Sequence, residues 1–202
     1  DLAFKYRNPA IILADGVIGQ MMEKVVLPEQ RPRLTNEEVM ARCPWATFGK
    51  LKHRGPNIVT SLELDPAEME KRNIHLQQKY AEIEEKEVRY EEIHCDDAEY
   101  LIVAFGSCAR IAQKAMEEAR AEGIKVGLLR PITLWPFPSK AIAERSRQVK
   151  GILTVELNAG QMVEDVRLAV ECKVPVEYFG RLGGIVPDPD EVVTALKEKI
   201  IK

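Results

Sequence analysis

Four stretches of this 202-residue sequence gather residue types able to hold or turn over a small molecule. Gly106-Ser107 follows the apolar run YLIVAF (Tyr100–Phe105) and opens a helical stretch. Its free N–H groups and the helix dipole could hold an anion or a partner's carboxylate. The same pair also reads as a plain N-cap by Ser107, with Gly106 supplying a tight turn. One glycine makes neither GxGxxG nor a P-loop, which argues against classical nucleotide binding. In VELNAGQMVED (Val155–Asp165), Asn158, Gly160 and Gln161 fall at a strand-to-helix elbow, where amide side chains can orient a ligand without changing charge. Glu156 beside them could be an acid or base, or equally an acceptor for backbone N–H groups. Arg130–Pro138 (RPITLWPFP) is a stiff, apolar loop. Arg130 could fork two hydrogen bonds to a carboxylate, and Trp135 and Phe137 could close the sheet edge or dock on another subunit. Phe179–Gly184 (FGRLGG) sets glycines around Arg181, which suits phosphate contact or a plain sheet-to-helix connection.

Other chemistries find less support. Cys43, Cys95, Cys108 and Cys172 form no CxxC pair, so a self-contained metal site is disfavoured and free thiols in a reducing compartment are expected. His53, His75 and His94 lack a Ser, Cys or acid at a spacing that suggests a triad. The net charge of −3 offers no basic footprint for nucleic acid. No apolar run is long enough for a membrane span and nothing reads as a signal peptide, so the cytoplasm is the default compartment. The chain opens on Asp1 rather than Met, and the native N-terminus is expected to lie elsewhere.

The elements that position these stretches follow from apolar patterning. From Glu99 onward strands and helices alternate: strands at Tyr100–Phe105, Val126–Leu129, Gly151–Val155 and Val174–Phe179, helices at Ser107–Glu122, Ser139–Arg147, Gly160–Val170 and Pro189–Ile201, the last capped by Asp188. Such alternation predicts an α/β fold with a parallel sheet and right-handed crossovers. In open parallel sheets ligands gather at the carboxyl ends of the strands, where all four stretches fall. Before residue 98 the pattern is irregular. Asp65-Pro66 predicts a helix from Pro66 to about Glu92, with Met69, Leu76, Tyr80 and Ile83 as a narrow apolar stripe. Pro9–Leu13 reads as a buried strand ending at Asp15-Gly16, and Met22–Leu27 as a short strand.

Taken together, YLIVAFGSCARIAQKAM, LLRPITLWPFP, TVELNAGQMVEDV and GRLGGIVPDPDEV resemble the C-terminal domain of the α subunit of 2-oxoacid:ferredoxin oxidoreductases. RNPAIILADGVIGQMMEKVVLPE resembles the end of that subunit's preceding domain, which holds the pyrimidine end of thiamine diphosphate. ADGVIGQMMEKV and VELNAGQMVEDV are most like the branched-chain (2-oxoisovalerate) type, with the 2-oxoglutarate type as its nearest neighbour. The resemblance implies a transketolase C-terminal-domain-like three-layer sandwich over residues 99–202. It implies a linker with the long helix over 31–98, and the end of the pyrimidine-binding domain over 1–30.

The activity so implied is oxidative decarboxylation of a 2-oxoacid with coenzyme A, giving acyl-CoA and carbon dioxide, with electrons passed through iron–sulfur clusters to ferredoxin. A β subunit would bind the thiamine diphosphate through magnesium, and γ- and δ-type subunits would complete the complex. Asp15 and Gly16 would lie near the cofactor side of the first domain. Gly106, Ser107, Asn158, Gly160, Gln161 and Arg181 would line strand ends facing coenzyme A or a subunit interface, or serve as interface packing. The family's YPITP-like motif, its activating glutamate and its substrate loop are not in this sequence. The chain is therefore expected to be the C-terminal part of a subunit, inactive alone and binding no cofactor by itself. Two other readings share these features: a non-catalytic assembly module, and another transketolase-type thiamine enzyme.

Overall fold

The computed structural model describes residues 1–46, 49, 52 and 55–201, and His53 lies outside the described residues. The chain separates into two units, Asp1–Met21 with Leu76 onwards, and Met22–His75. In order, the helices and strands are α1 (Leu2–Tyr6), α2 (Gly16–Gln20), α3 (Asn36–Arg42), α4 (Pro66–Lys86), β1 (Tyr90–Ile93), β2 (Tyr100–Ala104), α5 (Gly106–Ala121), β3 (Val126–Pro131), α6 (Ser139–Arg145), β4 (Ile152–Glu156), α7 (Met162–Val170), β5 (Val176–Gly180) and α8 (Pro189–Leu196), followed by a π-helical turn, Lys197–Ile201.

The smaller unit is held by local polar bonds. Thr35 and Glu38 form a capping box on α3, with Glu38 N donating to Thr35 Oγ1 at 3.2 Å and Thr35 N to Glu38 Oε2 at 2.8 Å. Asp65 Oδ1 accepts from Ala67 N at 2.8 Å, as the Asp-Pro start predicts. Met22–Leu27, expected to be a strand, belongs to none of the five strands of the sheet, and Met22, Val25, Val26 and Leu27 are exposed.

The larger unit is built on one sheet in the order β1-β3-β2-β4-β5, with β1 antiparallel and the other pairings parallel. β2 and β4 are buried on both faces, which suits their nearly continuous apolar sequences. Alternate residues divide the core into two layers. Ile102, Ala104, Leu153 and Val155 pack beneath α5 and α8. Leu101, Val103 and Ile152 pack beneath α6 and α7. At Gly127 of β3 an added Cβ would lie 2.9 Å from His94 O, so only glycine lets the β1–β2 connection cross there.

Two further expectations are corrected. The long helix ends at Lys86 rather than near Glu92, and Tyr90–Ile93 becomes a fifth strand. A Glu-rich segment favours helix weakly, and here β3 offers a ladder that outweighs that preference. Arg130 Nη1 donates to Glu91 at 3.1 Å, while Arg145 makes a two-pronged bond to Glu92 at 3.0 and 2.6 Å, so both acids of this edge strand are paired. Pro9–Leu13 is not a strand: it pairs with none of the five, and Ile11, Ile12 and Leu13 are exposed. The expected apolar stripe of α4 does hold, with Ile83 buried and Met69, Leu76 and Tyr80 partly buried.

Two buried carboxylates fix the unit's joints. Glu87, just past α4, accepts from Lys5 Nζ at 2.6 Å and from Tyr6 Oη at 2.7 Å, and so clamps α1 to the end of α4. Glu156, 1% exposed at the end of β4, turns both oxygens onto the start of α7. Oε2 accepts from Met162 N at 2.8 Å, Gln161 N at 3.2 Å and Asn158 Nδ2 at 3.1 Å, and Oε1 accepts from Val163 N at 3.0 Å.

Each joint yields a prediction. Glu156→Gln keeps the shape but leaves at least one α7 amide without its acceptor, so chemical denaturation should show a loss of about 1–3 kcal/mol; an unchanged midpoint would contradict the assignment. At the other joint, the bonds from Lys5 and Tyr6 hold the Glu87 carboxyl below its ordinary value. The clamp is therefore at full strength above the unfolded-chain value of about 4.3 and is lost as pH falls through the lower folded value. Hydrogen exchange across that acid range should show α1 losing protection while β2 and β4 keep theirs; α1 protection that does not change with pH would refute it.

Candidate functional site

The carboxyl ends of β2, β4 and β5 carry most of the residues singled out in the sequence. After β2, Phe105 is the N-cap of α5, and Gly106 opens the helix with φ +57°, a conformation that other residues resist. Ser107 is not the cap expected of it. It sits inside the first turn, and its Oγ donates to Asp15 Oδ2 at 2.5 Å. Asp15 is itself the N-cap of α2, its Oδ1 accepting from Ile18 N at 2.8 Å, and Gly16 is the first residue of that helix. The Ser107 hydroxyl and the Ile18 amide hold the Asp15 carboxyl below the usual carboxylate range. Thus Asp15, Gly16, Gly106 and Ser107 come together at one strand end, although 92 positions separate the two bonded side chains.

At the end of β4, Glu156 settles the choice left open by sequence. Buried and surrounded by N–H donors, it is an acceptor for the backbone at the start of α7. Asn158 closes the elbow: its Oδ1 accepts from Gly160 N at 2.7 Å, its Nδ2 donates to Glu156, and its backbone carbonyl accepts from Tyr178 Oη. Gly160 (φ +98°) and Gln161 supply backbone to this turn. At the end of β5, Arg181 N donates to Glu156 O at 3.3 Å. Its guanidinium pairs with Glu191, a member of the α8 capping box with Asp188. Arg181 Nε is buried and unpartnered.

Carboxylates therefore stand at three helix starts: Glu156 takes the amides of α7, Asp15 meets the Ser107 hydroxyl at α5, and Glu191 takes Asp188 N and the Arg181 guanidinium at α8. Cys108, on the first turn of α5, is pushed up to about 11 by burial, with Glu156 and Asp15 adding to the rise. A thiol held so far above neutral pH is a poor nucleophile. Sequence reading missed Tyr178 and Cys108 as members of this cluster. A tyrosine two residues before a strand's closing glycine, and a cysteine on a helix's first turn, were the only local signals.

Other singled-out residues go elsewhere. Arg130 reaches Glu91 through one bond rather than two. Trp135 meets Tyr80 of α4 edge to face, with ring centroids 5.8 Å apart, and stays half-exposed. Phe137 packs on the core beneath α6 and α7. His75 is exposed on α4, and His94 follows β1 with φ +53°. Among the described residues no group of three or more His, Cys, Asp or Glu side chains could hold a metal ion, and no helix is long and apolar enough to cross a membrane.

This geometry can be set beside known proteins. Residues 98–192 match the pyruvate:ferredoxin oxidoreductase core domain II. The chain is 46% identical to the ketoisovalerate oxidoreductase subunit VorB of Methanothermobacter thermautotrophicus, over 98% of its own length and 54% of that relative's. It is 30% identical to the 2-oxoglutarate synthase subunit KorA of Archaeoglobus fulgidus, over 93% of its length and 52% of the relative's. The chain thus spans about half the length of the curated relatives it matches. In fold it is similar to a 2-oxoglutarate:ferredoxin oxidoreductase from Magnetococcus marinus, solved with 2-oxoglutarate, coenzyme A and succinyl-CoA bound. That match has a TM-score of 0.60 and 24% identity, over 68% of this chain and 24% of the other. The chain is thus homologous to subunits of the 2-oxoacid:ferredoxin oxidoreductases, and its residues 98–192 match core domain II of pyruvate:ferredoxin oxidoreductase.

Proposed function

We propose that this chain serves in a thiamine-dependent complex that oxidatively decarboxylates a branched-chain 2-oxoacid. A 2-oxoacid anion and coenzyme A would give acyl-CoA, carbon dioxide and a proton, and two electrons would pass to ferredoxin. The observation that carries this reading is the 46% identity to a ketoisovalerate oxidoreductase subunit along nearly the whole chain. The lower identity to 2-oxoglutarate synthase subunits supports the branched-chain substrate over 2-oxoglutarate. On this reading residues 1–30 close a pyrimidine-binding domain, 31–98 link, and 99–202 form the transketolase C-terminal-like domain.

The strand-end residues do not fit the diphosphate of thiamine diphosphate. Glu156 already takes the amides at the start of α7, and with Asp15 at the start of α5 and Glu191 at that of α8 a second anion beside these carboxylates would be repelled. Nor do the described residues offer a set of metal ligands. We therefore assign thiamine diphosphate with its magnesium, and the iron–sulfur clusters, to other parts of the complex, with β, γ and δ-type subunits and ferredoxin as partners. The role left for this domain is support: a rigid edge against which a cofactor domain or coenzyme A can be set. Gly106, Ser107, Asn158, Gly160, Gln161 and Arg181 would form that edge.

Two measurements test this. Calorimetric titration of the 202-residue chain with magnesium and thiamine diphosphate should give no binding heat at physiological concentrations; tight one-to-one binding would refute the assignment. A complex containing this chain should reduce ferredoxin in a coenzyme A-dependent way, with higher kcat/KM for 2-oxoisovalerate than for 2-oxoglutarate. A reversed preference would overturn the substrate, and no coenzyme A-dependent reduction with either would overturn the activity.

A further inference from the structure

β5 ends the sheet on one side, and side chains rather than another strand meet its outer edge. Pro175 O accepts from Ile152 N at 2.9 Å, and Arg181 N donates to Glu156 O, so these odd-numbered backbone groups face β4. Strand alternation turns the backbone groups of Val176, Tyr178 and Gly180 to the open side. Two cations reach that side from opposite faces of the sheet. Arg167 of α7 donates through Nη2 to Val176 O at 3.2 Å. Lys199, in the π-helical turn after α8, donates through Nζ to Tyr178 O at 2.8 Å.

Among the described residues neither cation forms an ion pair; each rests on a neutral carbonyl. Of the nearby acids, Glu171 is committed to Lys173 at 2.5 Å, and Glu177 lies on the strand itself, partly buried. A groove of about 330 Å³ runs beside Arg167, walled by Val170, Val174, Pro175 and Val176.

Charged side chains on an edge strand commonly discourage pairing with other chains. Here the pattern is more specific. A carboxylate would offer Arg167 and Lys199 a full opposite charge, which the neutral carbonyls they now hold do not. Those carbonyls would in turn be free to take N–H groups from an incoming strand.

We propose that the outer edge of β5 is a docking site for an extended acidic segment of a partner chain. Laid along the edge, the segment donates its own N–H groups to Val176 O and Tyr178 O. Consecutive strand residues point to opposite faces. An adjacent pair of carboxylates therefore meets Arg167 on the α7 face and Lys199 on the α8 face, and an apolar neighbour enters the groove beside Val174 and Val176.

The test is NMR titration of the ¹⁵N-labelled chain with a short peptide carrying an Asp-Glu pair between valines, and with its Asn-Gln counterpart. The acidic peptide should shift the amides of Val176, Tyr178 and Gly180, and the Asn-Gln peptide should bind about tenfold more weakly, the step expected if two exposed ion pairs are lost. The double variant R167E/K199E should abolish the shifts; both side chains are exposed, so the fold should survive, as its spectrum will show. Equal binding of the two peptides, or no shift at these amides, overturns the proposal. So does a concentration-dependent dimer that moves the same amides without peptide, which would assign the edge to a second copy.

Discussion

A carboxylate buried in a protein is stable only when donors surround it, and the carboxyl edge of this sheet is organised around meeting that demand for Glu156. Its two oxygens collect the amides of Gln161, Met162 and Val163 and the side-chain amide of Asn158. That arrangement supplies α7 with an anion at its positive end. It also fixes the Asn158–Gly160 turn, on which Tyr178 of β5 then closes. Three elements thus take their mutual position from one side chain. The covering layer then packs at Val163 and Val166, both buried.

The same device recurs along the edge. Asp15 meets Ser107 at the start of α5, and Glu191 joins Asp188 and Arg181 at the start of α8. At α7 the helix-start amides are filled from within by Glu156, and at α5 and α8 a carboxylate of the chain itself stands beside the helix start. A domain of this kind is better suited to presenting a stiff surface than to gripping a charged cofactor. That agrees with a chain related to subunits of larger oxidoreductases.

The sequence was most informative where burial is complete. β2 and β4 are apolar throughout because both faces are covered, and the helices between them carry one apolar face each, so the alternation that defines the fold could be read directly. It was least informative where partners lie far away along the chain. YEEI reads as the continuation of a charged helix, and becomes a strand only because β3, with Arg130 and Arg145 nearby, completes its hydrogen bonds and its charges. Ile11 to Leu13 have the composition of a buried strand, but composition cannot supply a ladder, and the segment stays exposed. At the site, residue types marked the right strand ends but not the roles. Ser107 looked like a cap and proved to be the partner of an aspartate 92 positions away.

The sequence by itself determined the α/β order, the helix starts at Asp65 and Asp188, and the places where strands give way to helices. Each of these depends on neighbours within a few residues: apolar periodicity, an N-cap, a proline in the first turn, a glycine with positive φ. Only the tertiary structure decided that Glu156 anchors the start of α7, that Asp15 meets Ser107 at the start of α5, and that β5 keeps an open edge held by Arg167 and Lys199. A carboxylate's role depends on which donors surround it and how far water is excluded, and both are set by contacts between segments that the chain order leaves far apart.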